Sequence, residues 1–271
     1  MSIYKFPLGV EELAMIYGLI GKPELGQLTL ENVYEELSEA HVSVLMTSAS
    51  HSMLARGICS INENGSVHLD EEVEKAFSPV VLSDYLVTFI LDGQDIGNMQ
   101  WQLFVSQKFG FTSFLVTAGV AYIVGHGTLR DLSTYIEEAF GVLMPDSFEC
   151  DEENLILEIE LTSLVKAMSI VEENKSPQKV FLAAGWHEET SQKITRDLTN
   201  QLMRGSVLRL NAGSEASEAE QMQASKPTLL FLVGSSKVWT FDFASPEENE
   251  IGIAQVCSWD AFIKKLQDFV L

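Results

Sequence analysis

Histidine side chains are the first candidates for chemistry in this chain, because a neutral imidazole binds metal ions and shuttles protons near neutral pH. None of them forms a His-x-x-x-His pair, and none lies at metal-ligand spacing from a cysteine. This spacing predicts structural or surface histidines and no metal site. The five histidines are His41, His51, His68, His126 and His187.

Two short segments resemble functional sites only in part, one an anion-binding turn and the other a pair of carboxylates for acid–base chemistry. The run Gly125-His126-Gly127-Thr128 precedes a predicted helix, where backbone N–H groups can hold an anion, but it lacks the lysine of a phosphate-binding loop. Glu188 and Glu189 lie in the first turn of another predicted helix, where the helix dipole favours negative charge. No G-x-S-x-G motif occurs. The motifs alone therefore name no reaction and no cofactor.

Cysteine usage indicates a reducing compartment. The three cysteines, Cys59, Cys150 and Cys257, are odd in number and form no C-x-x-C pair. The first residues lack the basic and long apolar regions of a secretory signal, and no run of about 18 apolar residues occurs. We therefore expect a soluble cytoplasmic protein.

The charge balance excludes several classes of partner. The chain has 271 residues, with 17 Lys and Arg against 39 Asp and Glu, which gives a net charge of −22. Binding of nucleic acid or of an anionic membrane needs clustered cations, so we expect neither. A hydrophobic content of 46% predicts a globular chain with a substantial core.

Hydrophobic periodicity predicts helices in the first 80 residues, and Asn64-Gly65 predicts a β-hairpin between them. Three helices and a hairpin are the order of a winged helix, but the third helix offers only Arg56 as a strong cation, which disfavours DNA binding. The predicted helices are 9–20, a second one capped by Thr29 and running to Leu37, a third over 42–56, and a fourth that begins after Asp70 and ends before Pro79.

With the pattern of the remaining residues, the sequence predicts an α+β fold with two pseudo-twofold halves, each an antiparallel sheet covered by amphipathic helices. An acidic segment, 146–153, marks the boundary between residues 1–145 and 146–271, which we expect to form one compact unit. Residues 211–226 have almost no apolar anchor and predict a mobile loop. Strands are predicted at 84–92, 99–107, 109–117, 119–124, 205–210, 228–233, 236–243 and 251–257, and helices at 128–140, from Leu161, at 187–203 and at 259–270.

This order of elements resembles the EspG family, the cytosolic specificity chaperones of type VII (ESX) secretion. The run Leu54-Ala55-Arg56-Gly57-Ile58 is similar to the L-x-x-R-G-L motif of that family, and it likewise precedes a short hairpin and a helix. The other segments that carry the resemblance are Glu11-Glu12-Leu13, Gly21-Lys22-Pro23-Glu24-Leu25, Asn64-Gly65-Ser66-Val67, the acidic helix 70–77 and Leu143-Met144-Pro145.

The resemblance implies a binding protein without enzymatic activity or cofactor, which holds the apolar tip of a helical secreted client and keeps it soluble until export. By the same resemblance we expect the contact surface on the sheet of the second half and on the 211–226 loop. The partner-binding residues expected there are Leu229, Phe231, Trp239, Phe241 and Met222.

Two alternatives stay open. The same architecture could belong to an interaction or regulatory module of another system, which would bind protein partners without any link to secretion. It could also carry an enzyme site assembled by the fold, which would show as a deep pocket with convergent polar groups. The sequence indicates neither the client nor the oligomeric state.

Overall fold

The computed structural model describes residues 4–34, 37–93, 97–117, 121–144, 155–211, 228–235, 237–243 and 251–271. Helices and antiparallel strands both contribute strongly, so the predicted α+β class is confirmed. Contacts divide the chain into two compact units. Unit 1 comprises Met1–Leu86 and Trp101–Leu132, and unit 2 comprises Val87–Gln100 and Ser133–Leu271.

The predicted boundary between residues 145 and 146 lies outside the described residues, so the division there stays a prediction. The unit limits fall within elements, because α5, β4 and β5 each contribute residues to both units. These elements are β4 (Tyr85–Gly93), β5 (Gly97–Ser106) and α5 (Leu129–Val142).

Unit 1 is built from an antiparallel sheet in the order β1-β7-β6-β5, four helices and a small hairpin. The hairpin turn needs Gly65, which has a φ of 87°. The other elements of unit 1 are β1 (Tyr4–Gly9), β2 (Cys59–Ile61), β3 (Val67–Leu69), β6 (Gly110–Thr117), β7 (Ala121–Gly127), α1 (Val10–Leu19), α2 (Pro23–Glu31), α3 (Glu39–Ala55) and α4 (Glu71–Val81).

Unit 2 is built from an antiparallel sheet in the order β4-β9-β10-β11-β12-β8. Helices cover both faces of this sheet, as the amphipathic stripes of the sequence require. The other elements of unit 2 are β8 (Leu155–Glu160), β9 (Met203–Asn211), β10 (Thr228–Val233), β11 (Val238–Phe243), β12 (Ile251–Cys257), α6 (Leu161–Glu172), α7 (Gln178–Ala183), α8 (Glu188–Thr199) and α9 (Trp259–Val270).

Three predicted helices have wrong boundaries. The helix predicted over 187–203 ends at Thr199, because Met203 already begins β9. The second helix begins at Pro23, because proline is favoured at the first helical position, and ends at Glu31. Thr29 is therefore not its cap, and its hydroxyl donates to the Leu25 carbonyl oxygen inside the helix. The fourth helix contains Pro79 and ends only at Val81. Three elements, β1, β8 and α7, were not predicted.

A buried carboxylate ties three elements of unit 1 together. Glu12 is 6% exposed, and its two oxygens lie 2.8 and 2.7 Å from Nη1 of Arg56. The Ser52 hydroxyl and the Gly9 N–H also donate to this carboxylate, at 2.7 and 2.9 Å. Arg56 donates in addition to the Pro7 carbonyl oxygen. The end of β1, the start of α1 and the end of α3 are thereby fixed to one another.

The two faces of the unit 2 sheet are covered by different helices. Phe231 of β10 contacts Phe140 of α5 and Phe262 of α9, at ring-centroid distances of 6.0 and 5.0 Å. On the other face Trp239 of β11 stacks against Trp186, which precedes α8, at 6.0 Å. Helices α5 and α9 therefore cover one face, and α6, α7 and α8 cover the other.

Two cysteines are buried, one in each unit. Cys59 lies on β2 of unit 1 and is 4% exposed, whereas Cys257 lies on β12 of unit 2 and is 6% exposed. Both therefore pack as small buried hydrophobic residues. Cys150 lies outside the described residues.

Candidate partner-binding groove

The residues expected to bind a partner do not form one surface. Leu229, Phe231, Trp239 and Phe241 are each at most 2% exposed. Leu229 and Phe231 share the face of β10 that α5 and α9 cover, because side chains two apart on a strand point the same way. Trp239 and Phe241 pack under α6 to α8. Met222 lies outside the described residues, and the binding role of all five stays a prediction.

An apolar groove opens in unit 2 where the cover of α6 to α8 ends. It runs between α6 and the strands β4, β9 and β10, and it has a volume of about 360 Å³. Phe241 lines it from the face under α6 to α8, and Phe231 also borders it although its ring packs against α5 and α9 on the other face. We call it the unit 2 groove, and its lining consists of Ile90, Asp92, Asn98, Leu164, Met168, Glu172, Leu198, Arg204, Gly205, Ser206, Leu230, Phe231, Leu232 and Phe241.

Ile90 is the clearest sign that the groove lacks cover. Its neighbours on β4, Phe89 and Leu91, are buried on the face of α5, where the Phe89 ring contacts Phe140 at 5.8 Å. Strand alternation places Ile90 on the opposite face, which the remaining helices leave partly open. Its side chain is therefore 50% exposed. A partner's apolar side chains would bury this surface.

Charged side chains close one end of the groove. Arg204 of β9 contacts Asp92 of β4 at 2.8 Å and Glu172 of α6 at 3.1 Å. Each of these pairs is partly exposed and contributes little to stability alone. Together they hold α6 against the two strands and give the apolar groove a polar rim.

The lining of the unit 2 groove suits the burial and orientation of apolar side chains. Among the described residues that line it there is no histidine, cysteine or lysine, and its charged residues pair with one another. In the described ranges of the whole chain, no group of three His, Cys, Asp or Glu residues is placed to hold a metal ion. An apolar floor with a polar rim suits the binding of apolar side chains.

Most of the groove residues were not predicted from the sequence. Ile90 and Asp92 lie 112 residues or more before Arg204 in the chain, so no local spacing connects them. Met168 packs against the core of unit 2, and it is half-buried and also lines the groove. The only local signal was Asp92, an aspartate at the end of an apolar strand. Such an aspartate is common at strand ends and therefore does not indicate a site.

Gly205 forms part of the groove, and a side chain has no room there. A Cβ at this position would lie 2.6 Å from Cζ of Phe231 and 2.8 Å from the Ile90 carbonyl oxygen. We expect Gly205→Ala to lower the free energy of unfolding by about 1–3 kcal/mol, because the backbone oxygen cannot move aside cheaply. Urea denaturation followed by circular dichroism measures the change.

The matched control for this prediction is Gly141→Ala on α5, where an added Cβ meets nothing within 4 Å. Alanine is the better helix former, so this variant should unfold at the same urea concentration as the unchanged protein or a higher one. Equal midpoints for Gly205→Ala and Gly141→Ala would contradict the prediction.

Within the described ranges, none of the helices combines the length and apolar character that a membrane crossing requires. No protein-family model matches the chain, and no curated protein does. A MaoC-like dehydratase structure aligns over 94% of this chain and 97% of its own, at 12% identity, but its TM-score of 0.16 is too low to indicate a shared fold.

Among the solved structures that are similar to the chain is the Mycobacterium tuberculosis type VII secretion system chaperone EspG5 in complex with the PE25-PPE41 dimer. The alignment has a TM-score of 0.63 and 12% identity, and it covers 97% of this chain and 93% of that one. Identity this low shows similarity of fold alone. The chain therefore has a fold similar to that of the type VII secretion chaperone EspG5.

Proposed function

We propose that this protein is a cytoplasmic, non-enzymatic chaperone or adaptor that binds an apolar helical segment of a secreted client in the unit 2 groove. The observation that carries the proposal is the open apolar groove beside α6, with Ile90 half-exposed in it. The fold similarity to EspG5, which was solved with a PE25-PPE41 dimer, supports type VII secretion as the system.

The groove suits a helix better than a small polar substrate. An amphipathic helix lays its apolar face into a hydrophobic groove through side chains three and four residues apart. The apolar walls from Met168, Leu164 and Leu230 would bury such side chains, and the Arg204 network would contact polar groups at the end of the client segment. The client's apolar tip would thereby be shielded from aggregation.

The charge of the chain fits the same role. A net charge of −22 keeps a protein and its complexes apart in solution by mutual repulsion. A chaperone that holds an aggregation-prone segment benefits directly from this repulsion. The contact surface itself stays apolar, so the charge does not prevent client binding.

The experiment that tests the proposal compares two aspartate variants in an affinity pull-down from the native cytosol, with mass spectrometry of the eluate. We expect the unchanged protein to recover a small helical secreted protein in stoichiometric amount. Ile90→Asp should reduce recovery of that protein about tenfold, because a carboxylate in the groove loses its hydration when the client binds. Calorimetric titration of the purified client then measures the affinity directly.

The matched control is Ile156→Asp on β8, which replaces another strand isoleucine that is 63% exposed and does not line the groove. It should recover the client as the unchanged protein does. The proposal is wrong if no stoichiometric helical partner is recovered, or if Ile90→Asp and Ile156→Asp bind the client equally well.

A further inference from the structure

A second apolar groove, of about 520 Å³, lies in unit 1, and neither the fold nor the proposed client binding uses it. Helix α1 forms its floor, and α2 and α3 form its walls. We call it the unit 1 groove, and its lining consists of Ala14, Met15, Gly18, Leu19, Pro23, Gly26, Gln27, Leu30, Glu31, Leu37, Val42 and Met46.

Two glycines with different surroundings lie in the lining of the unit 1 groove. Gly26 of α2 packs so closely on α1 that a Cβ there would lie 2.6 Å from the Ala14 carbonyl oxygen. Gly18 of α1 faces open space, since an added Cβ would meet nothing within 4 Å. Small residues allow another backbone to approach closely. The open space beside Gly18 can therefore admit side chains of a partner.

The wall formed by α3 is an apolar surface without a complete cover. Of the 17 residues of α3, only Ala49 and Met53 are buried hydrophobic residues. In its first half Val42 and Met46, which line the groove, are only half-buried. A helix needs an apolar stripe buried against a neighbour for stability. The first half of α3 lacks such a neighbour on its groove side.

The charge around the groove selects the chemistry of an occupant. Residues 10–55 contain seven glutamates and one lysine, Lys22. Of the five glutamates that the structure describes there, Glu12 is buried against Arg56, whereas Glu24, Glu31 and Glu39 are exposed on α2 and α3, and Glu31 lies in the groove lining. An acidic rim around an apolar floor attracts a cationic ligand and repels an anionic one.

We infer that the unit 1 groove binds an amphipathic α-helix of a partner protein in which lysine or arginine flanks an apolar stripe. The volume, the small floor residues and the apolar wall fit the stripe, and the glutamates fit the flanking cations. A fatty acid would bring its carboxylate to the acidic rim. A second copy of this chain would bring its own charge of −22. Both are less favourable occupants.

The test uses a synthetic amphipathic helix of about 18 residues, with leucine at helical spacing and lysine at the other positions. Its binding is measured by fluorescence anisotropy at about 0.15 M salt, where unspecific long-range attraction is screened. Gly18→Leu should weaken binding about tenfold, because the new side chain fills the groove. This variant should stay folded, because leucine is the better helix former and the Cβ that it adds meets nothing within 4 Å.

Four controls decide the outcome. Gly141→Leu, another helical glycine with open space around its Cβ, should bind as the unchanged protein does. The inference is overturned if a peptide of the same composition in scrambled order binds equally, or if a leucine–glutamate peptide does. It is also overturned if Gly18→Leu has no effect, or if Ile90→Asp weakens binding as strongly, since the latter would place the peptide in the unit 2 groove.

Discussion

Replacing Arg56 with methionine is expected to lower the free energy of unfolding of unit 1 by about 3–5 kcal/mol. The guanidinium contacts both oxygens of Glu12, which is 6% exposed, and also binds the Pro7 carbonyl oxygen. Methionine fills much of the same space but leaves a buried carboxylate without its cation. Ser52 and Gly9 would still donate to it, but neither carries a charge.

The double variant Glu12→Gln with Arg56→Met separates the lost pair from the lost packing. Removing both charges should restore a large part of the stability, because the penalty of an unpaired buried charge disappears. Lys75→Met on α4 serves as the control, since its ion pairs with Glu71 and Glu72 are exposed and should contribute almost nothing. Guanidinium titrations measure all three. An Arg56→Met midpoint close to that of Lys75→Met would contradict the prediction.

Phe140→Ala is expected to lower the free energy of unfolding of unit 2 by about 3–5 kcal/mol. Phe140 is 0% exposed and contacts the rings of Phe89, Phe231 and Phe262 at 5.8 to 6.0 Å. Truncation removes the apolar area and the ring contacts, and it leaves a cavity that three large neighbours cannot easily fill. Thermal and urea unfolding, followed by near-ultraviolet circular dichroism, measure the change.

Phe140→Leu tests whether the volume or the ring carries this effect. Leucine keeps most of the volume, so the loss should be clearly smaller than for alanine. Val142→Ala is the matched position on the same helix, because Val142 is 85% exposed, and it should be nearly neutral. If Phe140→Ala is as stable as Val142→Ala, the prediction is wrong. The neighbouring rings would then have filled the cavity without loss of stability.

Elements with strong local signals were predictable from the sequence. The apolar stripe of 259–270 predicted α9, and Asn64-Gly65 predicted the turn between β2 and β3. Segments dense in β-branched and aromatic residues predicted β10 to β12 nearly to the residue. In each of these, the local preference and the tertiary packing favour the same conformation.

The missed strands lack such signals and depend on partners elsewhere in the chain. Strand β1 contains Pro7, which a sheet tolerates at its edge, and it forms only because β7 pairs with it across more than 110 residues. Strand β8 follows directly on an acidic segment and leads into α6 without a loop, so its six residues merged with the helix pattern. Pairing with a strand distant in the sequence therefore determines both strands, β7 for β1 and β12 for β8.

The candidate site was less predictable than the fold. The resemblance to the EspG family pointed to apolar residues of the second sheet, and the core uses the most apolar positions first. Leu229 and Trp239 are therefore buried under helices. The groove instead depends on where a helical layer ends, which only the assembled sheet reveals. Ile90 illustrates this, since it is chemically like its buried neighbours.

Each unit holds one buried cysteine among its described residues, so the alkylation rate of that cysteine reports how often the unit opens. Burial raises the pKa of the Cys59 thiol, and the reactive thiolate is correspondingly rare while unit 1 stays closed. Cys257 is enclosed in unit 2 in the same way. With Cys150 replaced by serine, the alkylation rates of the two sulfurs would time the opening of each unit separately. Equal rates would mean that both units open in one cooperative event, and unequal rates would rank their local stabilities.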